Sequence, residues 1–306
     1  MGGSSPEREV SLNSGKEIAK ALEAGGHDVT PYDVEWKGSK SLFSAVDECS
    51  SNGTDVVFLA LHGGLGENGG VQGVLEAAGL AYTGSGITAS AVAMDKNITK
   101  RLFIHNGIPT APWTSGSSNS IDTSRHEREA DYPFVVKPVD QGSTIGLTVV
   151  KSPSELPEAI ELAAQYSENI MIEAYIPGSE LTVPILGDMP LPVIEIRPSH
   201  EIYDYKCKYT SGMTEYLVPA PIGEKLALEI QGIAVKVFNL LGLRDIARID
   251  FRLDSMRRPL CFEANSLPGM TGTSLVPKSA QAAGIDFTEL TTQIAEMAYN
   301  RRCSNA

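Results

Sequence analysis

Along the chain, apolar positions switch repeatedly between a period near two and a period near 3.6, so short strands and amphipathic helices alternate. Residues 7–24 carry Ile18, Ala21 and Leu22 at helical spacing, which predicts a helix with Ser5 as N-cap and Pro6 at its first position. A strand is expected at 29–32 and a helix at 41–49. The apolar run Asp55-Val-Val-Phe-Leu-Ala-Leu61 reads as a strand covered on both faces. This β-then-α order implies parallel strands with crossover helices through residue 84. Further on, 95–106 reads as a helix and 133–138 as a strand. Residues 154–165 form a helix with Leu156, Ala159, Ile160 and Ala163 on one face, and 170–176 a strand. Beyond Leu181 short strands dominate until a long helix over 224–241 and a last one near 287–300. Two stretches break the pattern. Residues 114–124, rich in Ser, Gly and Asn, have the composition of a linker. Residues 198–221 are polar and hold four of the ten tyrosines, as a lid or binding loop would. No internal repeat is visible.

Composition narrows the class. The 306 residues are enough for two or three domains, and a hydrophobic share of 42% supplies ordinary globular cores. A formal charge of -13 opposes a phosphate backbone, which argues against nucleic-acid binding. No apolar run approaches the ~20 residues of a membrane span. The first residues show neither a basic nor an apolar signal region. Cys49, Cys207, Cys261 and Cys303 lie far apart without a CxxC pair, as free thiols do in a reducing compartment. A cytoplasmic α/β protein is expected.

The stretch 245–265 carries the most chemistry. Alternation puts Arg248, Asp250, Arg252 and Asp254 on one face, and Cys261, Glu263 and Asn265 together on the next strand. With Ser255-Met-Arg-Arg258 as a four-residue hairpin loop, Asp254 would face Pro259, Asp250 would face Glu263 and Arg248 would face Asn265. Like charges directly opposed are destabilising unless something lies between them. Oxygen-only donors then favour magnesium over zinc; the alternative is a solvated, charged edge hairpin. Lys96 and Lys137 lie next to strands, and Lys137 precedes Asp140-Gln-Gly-Ser-Thr-Ile-Gly146, a turn whose N–H groups could cradle phosphate. Each lysine taken alone reads more often as a surface residue. Gly64-Leu-Gly-Glu-Asn-Gly69 matches a dinucleotide fingerprint only formally, because no acidic residue follows at the required distance. No P-loop and no nucleophile elbow occurs.

A run of ordered motifs begins with Gly2-Gly-Ser-Ser-Pro-Glu-Arg-Glu-Val-Ser-Leu12, Leu61-His-Gly63, Tyr82-Thr-Gly-Ser85, Met94-Asp-Lys96, Val136-Lys-Pro138 and Gly142-Ser143. It continues through Tyr203-Asp-Tyr205, Lys208-Tyr209, Arg248-Ile-Asp250, Glu263-Ala-Asn265, Pro268-Gly-Met-Thr271 and Ser274-Leu-Val-Pro277. In these motifs the chain resembles the D-alanine–D-alanine ligases of the ATP-grasp superfamily over nearly its whole length. The resemblance implies an α/β and α+β fold of three domains, at 1–84, 85–174 and 175–306, the last carrying a lid loop at 198–221. The Ser-rich stretch 114–124 then falls inside the central domain.

The implied reaction joins two D-alanines at the expense of ATP through a D-alanyl phosphate, for peptidoglycan precursors. Asp250, Glu263 and Asn265 would hold two magnesium or manganese ions. Lys96, Lys137 and Lys208 would contact phosphate, with Ser143 in the closing loop. Glu173, Tyr175 and Ile176 resemble the adenine-side wall, and Glu180 the ribose ligand. Arg248 and the Gly269 N–H would stabilise the oxyanion. Glu7, linked through Ser143 to Tyr209, would bind the first ammonium. Ser274 and Leu275 would hold the second carboxylate, and His62 lies near the first substrate. D-alanine and ATP are the expected partners, with a homodimer as one assembly open to the chain.

Thr144 and Ile145 replace the commoner Ser and Val, and Tyr175 stands where many relatives carry Trp. Tyr209 matches a position that is Tyr in D-alanine-specific relatives and Phe in D-lactate-using ones. The rival readings are a D-alanine–D-lactate or D-alanine–D-serine ligase, an ATP-binding homologue inactivated by truncation, and a nicotinamide-dependent oxidoreductase. Relatives carry an apolar strand before the Gly2-Gly3 turn. Its lack here predicts an uncovered apolar strip beside 56–61, an unanchored turn and a loosely held Glu7.

Overall fold

The computed structural model describes residues 1–35, 41–126, 128–198 and 213–305. Lys208 and Tyr209, and most of the expected lid, lie outside the described residues.

Near the N-terminus, α1 (Arg8–Ala24) starts after the expected cap. Ser5 does not cap it in the ordinary way: its hydroxyl accepts from the Glu7 N–H at 3.2 Å and donates to the His62 carbonyl at 2.5 Å, tying the helix start to a neighbouring segment. Helix α2 (Leu42–Ser51) is capped by Ser41, which accepts from the Ser44 N–H. Helices α3 (Gly70–Ala77) and α4 (Ile87–Met94) follow. The parallel sense expected here is present, but only as isolated bridges, Gly2 with Val34, Glu35 with Ser41 and Val57 with Tyr82. A cavity of about 650 Å³ bordered by Met1, Ile18, Leu22, Tyr32, Phe58 and Ala60 lies beside the 56–61 run, within which Leu59, Ala60 and Leu61 are buried. The Gly2-Gly3 turn is anchored. Gly3 donates to the Val34 carbonyl, Val34 donates to that of Met1, and Gly2 donates to the Ser11 hydroxyl. The Gly3 N–H and the Met1 carbonyl are thereby satisfied by the extended segment at Val34 and the Gly2 N–H by Ser11 of α1, which corrects the expectation of a loose turn.

A four-stranded antiparallel sheet comes next. It consists of β1 (Trp113–Ser117), β2 (Phe134–Pro138), β3 (Thr148–Val150) and β4 (Asn169–Ala174), in the order β1-β4-β2-β3. The presumed linker therefore begins as strand β1, paired from Trp113–Glu173 to Ser117–Asn169. Cross-strand hydrogen bonding outweighs the poor strand propensity of Ser and Gly there. Helix α5 (Lys96–His105) leads into this sheet behind Asp95, whose carboxylate accepts from the Ile98 N–H at 2.8 Å. Helix α6 (Leu156–Ala164) covers it, burying Ala159 and Ala163 with Val136, Ile170 and Ile172.

A second antiparallel sheet holds β5 (Ser179–Leu186), β6 (Met189–Pro190), β7 (Ile194–Pro198), β8 (Thr214–Leu217), β9 (Ile246–Leu253) and β10 (Pro259–Asn265). The strand order is β10-β9-β5-β7-β8, with β6 on β5. Helix α7 (Glu224–Leu241) packs Ile230, Ala234 and Val237 against Leu181, Val183, Ile249 and Phe251. Gly242, at φ 66°, ends it in the left-handed conformation that glycine adopts without strain. Helices α8 (Leu275–Ala282) and α9 (Phe287–Asn305) return the chain to the N-terminal part, where Val276, Leu290 and Ile294 share a core with Ile18 and Leu22.

Candidate active site

Two buried lysines and four carboxylates converge on the cleft between the sheets. It is bordered by Lys96, Lys137, Ser143, Glu173, Asp250 and Glu263, and by Tyr175, Ile176, Glu180 and Arg248. The cleft encloses about 130 Å³, less than the roughly 300–1,000 Å³ of an ordinary ligand pocket.

The β9–β10 hairpin sets one wall. Asp250 pairs with Glu263 and Arg248 with Asn265, as the alternation predicts. At the turn the expectation fails: Leu253, not Asp254, pairs with Pro259, and a bulge at Phe262 restores the register. Asp254 instead folds over the turn, accepting from the N–H groups of Met256 and Arg258. The opposed carboxylates are not left in bare repulsion. Arg248 forks Asp250 through Nε and Nη2, both at 2.9 Å, and Thr182 donates to the same carboxylate at 2.5 Å. Asn265 Nδ2 donates to Asp250 at 2.9 Å, which directs its amide oxygen away from that bond. Glu263 lies 3.8 Å from Lys96. Asp250, Glu263 and the Asn265 amide thus form an all-oxygen donor set on adjacent strands, which fits a hard divalent cation.

Lys96, at the start of α5, donates to the Gln141 carbonyl at 2.6 Å and so braces the glycine-rich loop. Burial pulls its ammonium below the usual lysine value, against the carboxylate of Glu263. Lys137 on β2 donates to Glu173 Oε2 at 2.6 Å. Glu173 is fully enclosed and its other oxygen accepts from Lys100, a residue the sequence did not single out. Burial pushes the Glu173 carboxyl up, but the two ammonium groups outweigh it and hold it below the ordinary range. Arg252 is a second residue missed: its guanidinium lies 5.6 Å from the Tyr175 ring and 4.0 Å from Glu180. The alternation placed Arg252 on the site face of β9, so the signal was present.

The loop after β2 reaches across the molecule. Ser143, at φ 52°, donates to Glu7 Oε1, joining this loop to the start of α1. Gly63 makes the approach feasible: at φ 70°, a Cβ there would stand 2.9 Å from the other oxygen of Glu7. His62 is buried beside it, with Nε2 3.3 Å from the Ser14 hydroxyl and Nδ1 3.5 Å from Glu67. Ser274 Oγ accepts from the Thr271 N–H, and a Cβ on Gly269 would lie 3.1 Å from that oxygen, so these two expected site residues are neighbours. Leu275 turns its side chain into a core with Ile194 and Ile196, which leaves its backbone as the part able to face a ligand. The formal dinucleotide fingerprint is a packing turn: Cβ atoms at Gly66 and Gly69 would press on Leu61 and on the Ile87 carbonyl.

A cleft between two antiparallel sheets, with Lys96 of α5 and Lys137 of β2 on one side and the acidic oxygens of β9 and β10 on the other, is the arrangement of the ATP-grasp class of ligases. Comparison with known proteins narrows this. The family profile for the D-ala D-ala ligase C-terminus matches residues 102–296, and that for the N-terminus matches 37–85. A D-alanine–D-alanine ligase of Gloeobacter violaceus is 43% identical, covering 96% of each chain, and one of Aquifex aeolicus is 44% identical, covering 95% of this chain and 96% of that protein. The crystal structure of the Bacillus anthracis D-alanine–D-alanine ligase complexed with ATP superposes with a TM-score of 0.86 at 32% identity, over 100% of this chain and 97% of that one. The chain belongs to the D-alanine–D-alanine ligase family.

Proposed function

We propose that this chain ligates two molecules of D-alanine at the expense of ATP, through a D-alanyl phosphate, within a three-part frame of residues 1–84, 85–174 and 175–306. The observation that carries the reading is the Ser143–Glu7 contact, which brings the phosphate loop and the amino-acid side of the site together. Lys96 and Lys137 hold the triphosphate. Tyr175 and Ile176 cover the base, and Glu180 takes the ribose. Glu7 accepts the ammonium of the first D-alanine next to His62, so that its carboxylate is in line for the γ-phosphate. Attack there forms the acyl phosphate and releases ADP. The second amine then attacks the acyl carbon, and inorganic phosphate leaves with the C–O bond electrons. Arg248 and the Gly269 N–H offset charge on the carbonyl oxygen, while Ser274 and the Leu275 backbone hold the second carboxylate. Asp250, Glu263 and Asn265 would hold magnesium or manganese, which supplies charge neutralisation to the phosphates when bound. Phosphoryl transfer of this kind depends on positioning and charge more than on a covalent nucleophile. The loop at 140–147 would open to admit the nucleotide and close over it. In keeping with a cytoplasmic enzyme, no helix among the described residues is long and apolar enough to cross a membrane.

Phosphate release from ATP is measured with D-alanine, L-alanine or no amino acid. Turnover that requires D-alanine supports the reading. ATP binding without D-alanine-dependent turnover would contradict it, and, with D-lactate supplied beside D-alanine, a depsipeptide formed in preference to the dipeptide would reassign the acceptor to D-lactate.

A further inference from the structure

Lys100 is among the most completely buried side chains of the molecule, an unusual place for a charged residue. It stands one helical turn after Lys96 on α5, so both ammonium groups leave the same face of the helix. Lys96 reaches the cleft. Lys100 lies behind it, donating to Glu173 Oε1 and, at 2.5 Å, to the Thr110 hydroxyl, with its Nζ 5.0 Å from the Trp113 ring centre. Glu173 spends its second oxygen on Lys137, which does border the cleft. The result is a buried line of three charges, plus, minus, plus, running from the interior to the place where phosphates would sit. The adjacent Cys261 thiol is fully buried, and burial raises it well above the ordinary thiol value, so it adds no charge.

The count of charges decides what this line can do. Glu173 and Lys137 alone would cancel, and a neutral pair at the cleft offers a polyanion little. With Lys100 present the carboxylate is already balanced from behind, so the charge of Lys137 is left uncancelled for the nucleotide. Lys100 also fixes the carboxylate plane by taking one of its oxygens, which fixes where Lys137 finds its partner. A buried ion pair is seldom retained for stability alone, because an apolar replacement of equal size often does as well.

We propose that Lys100 is a positioning residue for ATP: through Glu173 it keeps Lys137 oriented and electrostatically available to the triphosphate without touching the nucleotide itself. The proposal rests on the ligase reading for its ligand, but its test reads nucleotide binding directly. Lys100→Met keeps the length and apolar stem of the side chain and removes the charge. ATP affinity, measured by calorimetry, is expected to fall by about tenfold or more, the order that loss of one buried charge near a polyanion gives. In turnover, KM for ATP rises while KM for D-alanine stays within about twofold and kcat changes less than KM for ATP. The double variant Lys100→Met with Glu173→Gln restores the charge balance of the line, and its ATP affinity is expected to rise above that of the single variant but to stay below the unmodified protein, because Glu173 itself borders the cleft. A residue that merely filled space would show no such recovery. If the methionine variant does not fold, Lys100→Gln gives the same reading, because it keeps a hydrogen bond to Glu173 without the charge. Unchanged ATP affinity in a folded Lys100 variant, or a double variant no better than the single one, would overturn the proposal. Failure of the ligase reading would show differently, as absence of D-alanine-dependent turnover in the unmodified protein.

Discussion

At the level of single residues, Asp250 and Glu263 look equivalent in the sequence and are not. Asp250 is enclosed and carries the Arg248 fork, Thr182 and Asn265, whereas Glu263 is half-buried with Lys96 at 3.8 Å. Removing Asp250 takes two charged hydrogen bonds from the Arg248 guanidinium in a largely dry site, so Asp250→Ala is expected to cost about 2–3 kcal/mol of stability. Glu263→Ala should cost about 1 kcal/mol or less. Both variants should lose at least ~100-fold in activity, the order typical of a key electrostatic group. Urea melts and steady-state rates together check this: equal stability losses would mean that the Arg248 fork contributes little. The sequence made the facing pair legible through alternation and register. It could not show that Arg248 already neutralises Asp250, because a salt bridge two residues along one strand face has the same spacing whether formed or not.

Secondary-structure elements were read best where a periodic face is long. The helix at 224–241 and the strands around 170–176 and 246–253 are where their apolar spacing puts them. Strand β1 was hidden, since Ser115, Gly116 and Ser117 are strand residues only through pairing with β4. The bulge at Phe262 was equally invisible, being a consequence of how the turn closes on Asp254. At this scale β4 carries a pH dependence of its own. The Glu173 carboxyl is depressed in the fold, so its contribution to stability is complete above the ordinary carboxyl value of about 4.5 and is lost as pH falls through its lower folded value. The unmodified protein should therefore melt above Glu173→Gln at neutral pH, with the gap narrowing on acidification below about 4.5. A gap that holds constant to pH values well below this would show that the two lysines do not stabilise the ionised form.

On the scale of the whole molecule, contacts remote in sequence clasp the parts, and two of them centre on buried carboxylates. One is Ser143 on Glu7. The other is Asp245, buried and left-handed at φ 62°, which accepts from the Gly84 N–H at 2.8 Å and is forked by Arg301 of α9. Asparagine and aspartate tolerate that backbone better than alanine does. Asp245→Ala is thus expected to lower stability by about 3 kcal/mol, read as a lower melting temperature, while the KM for ATP is unchanged. A nucleotide effect as large as the stability effect would contradict a purely clasping role. The most direct test of the account is the balance between ATP consumed and product made when the chain is supplied with ATP, magnesium and D-alanine. The prediction is one D-alanyl-D-alanine for each ADP and phosphate formed, with no phosphate release when L-alanine replaces D-alanine. ATP hydrolysis without dipeptide, or release that ignores the configuration of the amino acid, would contradict it.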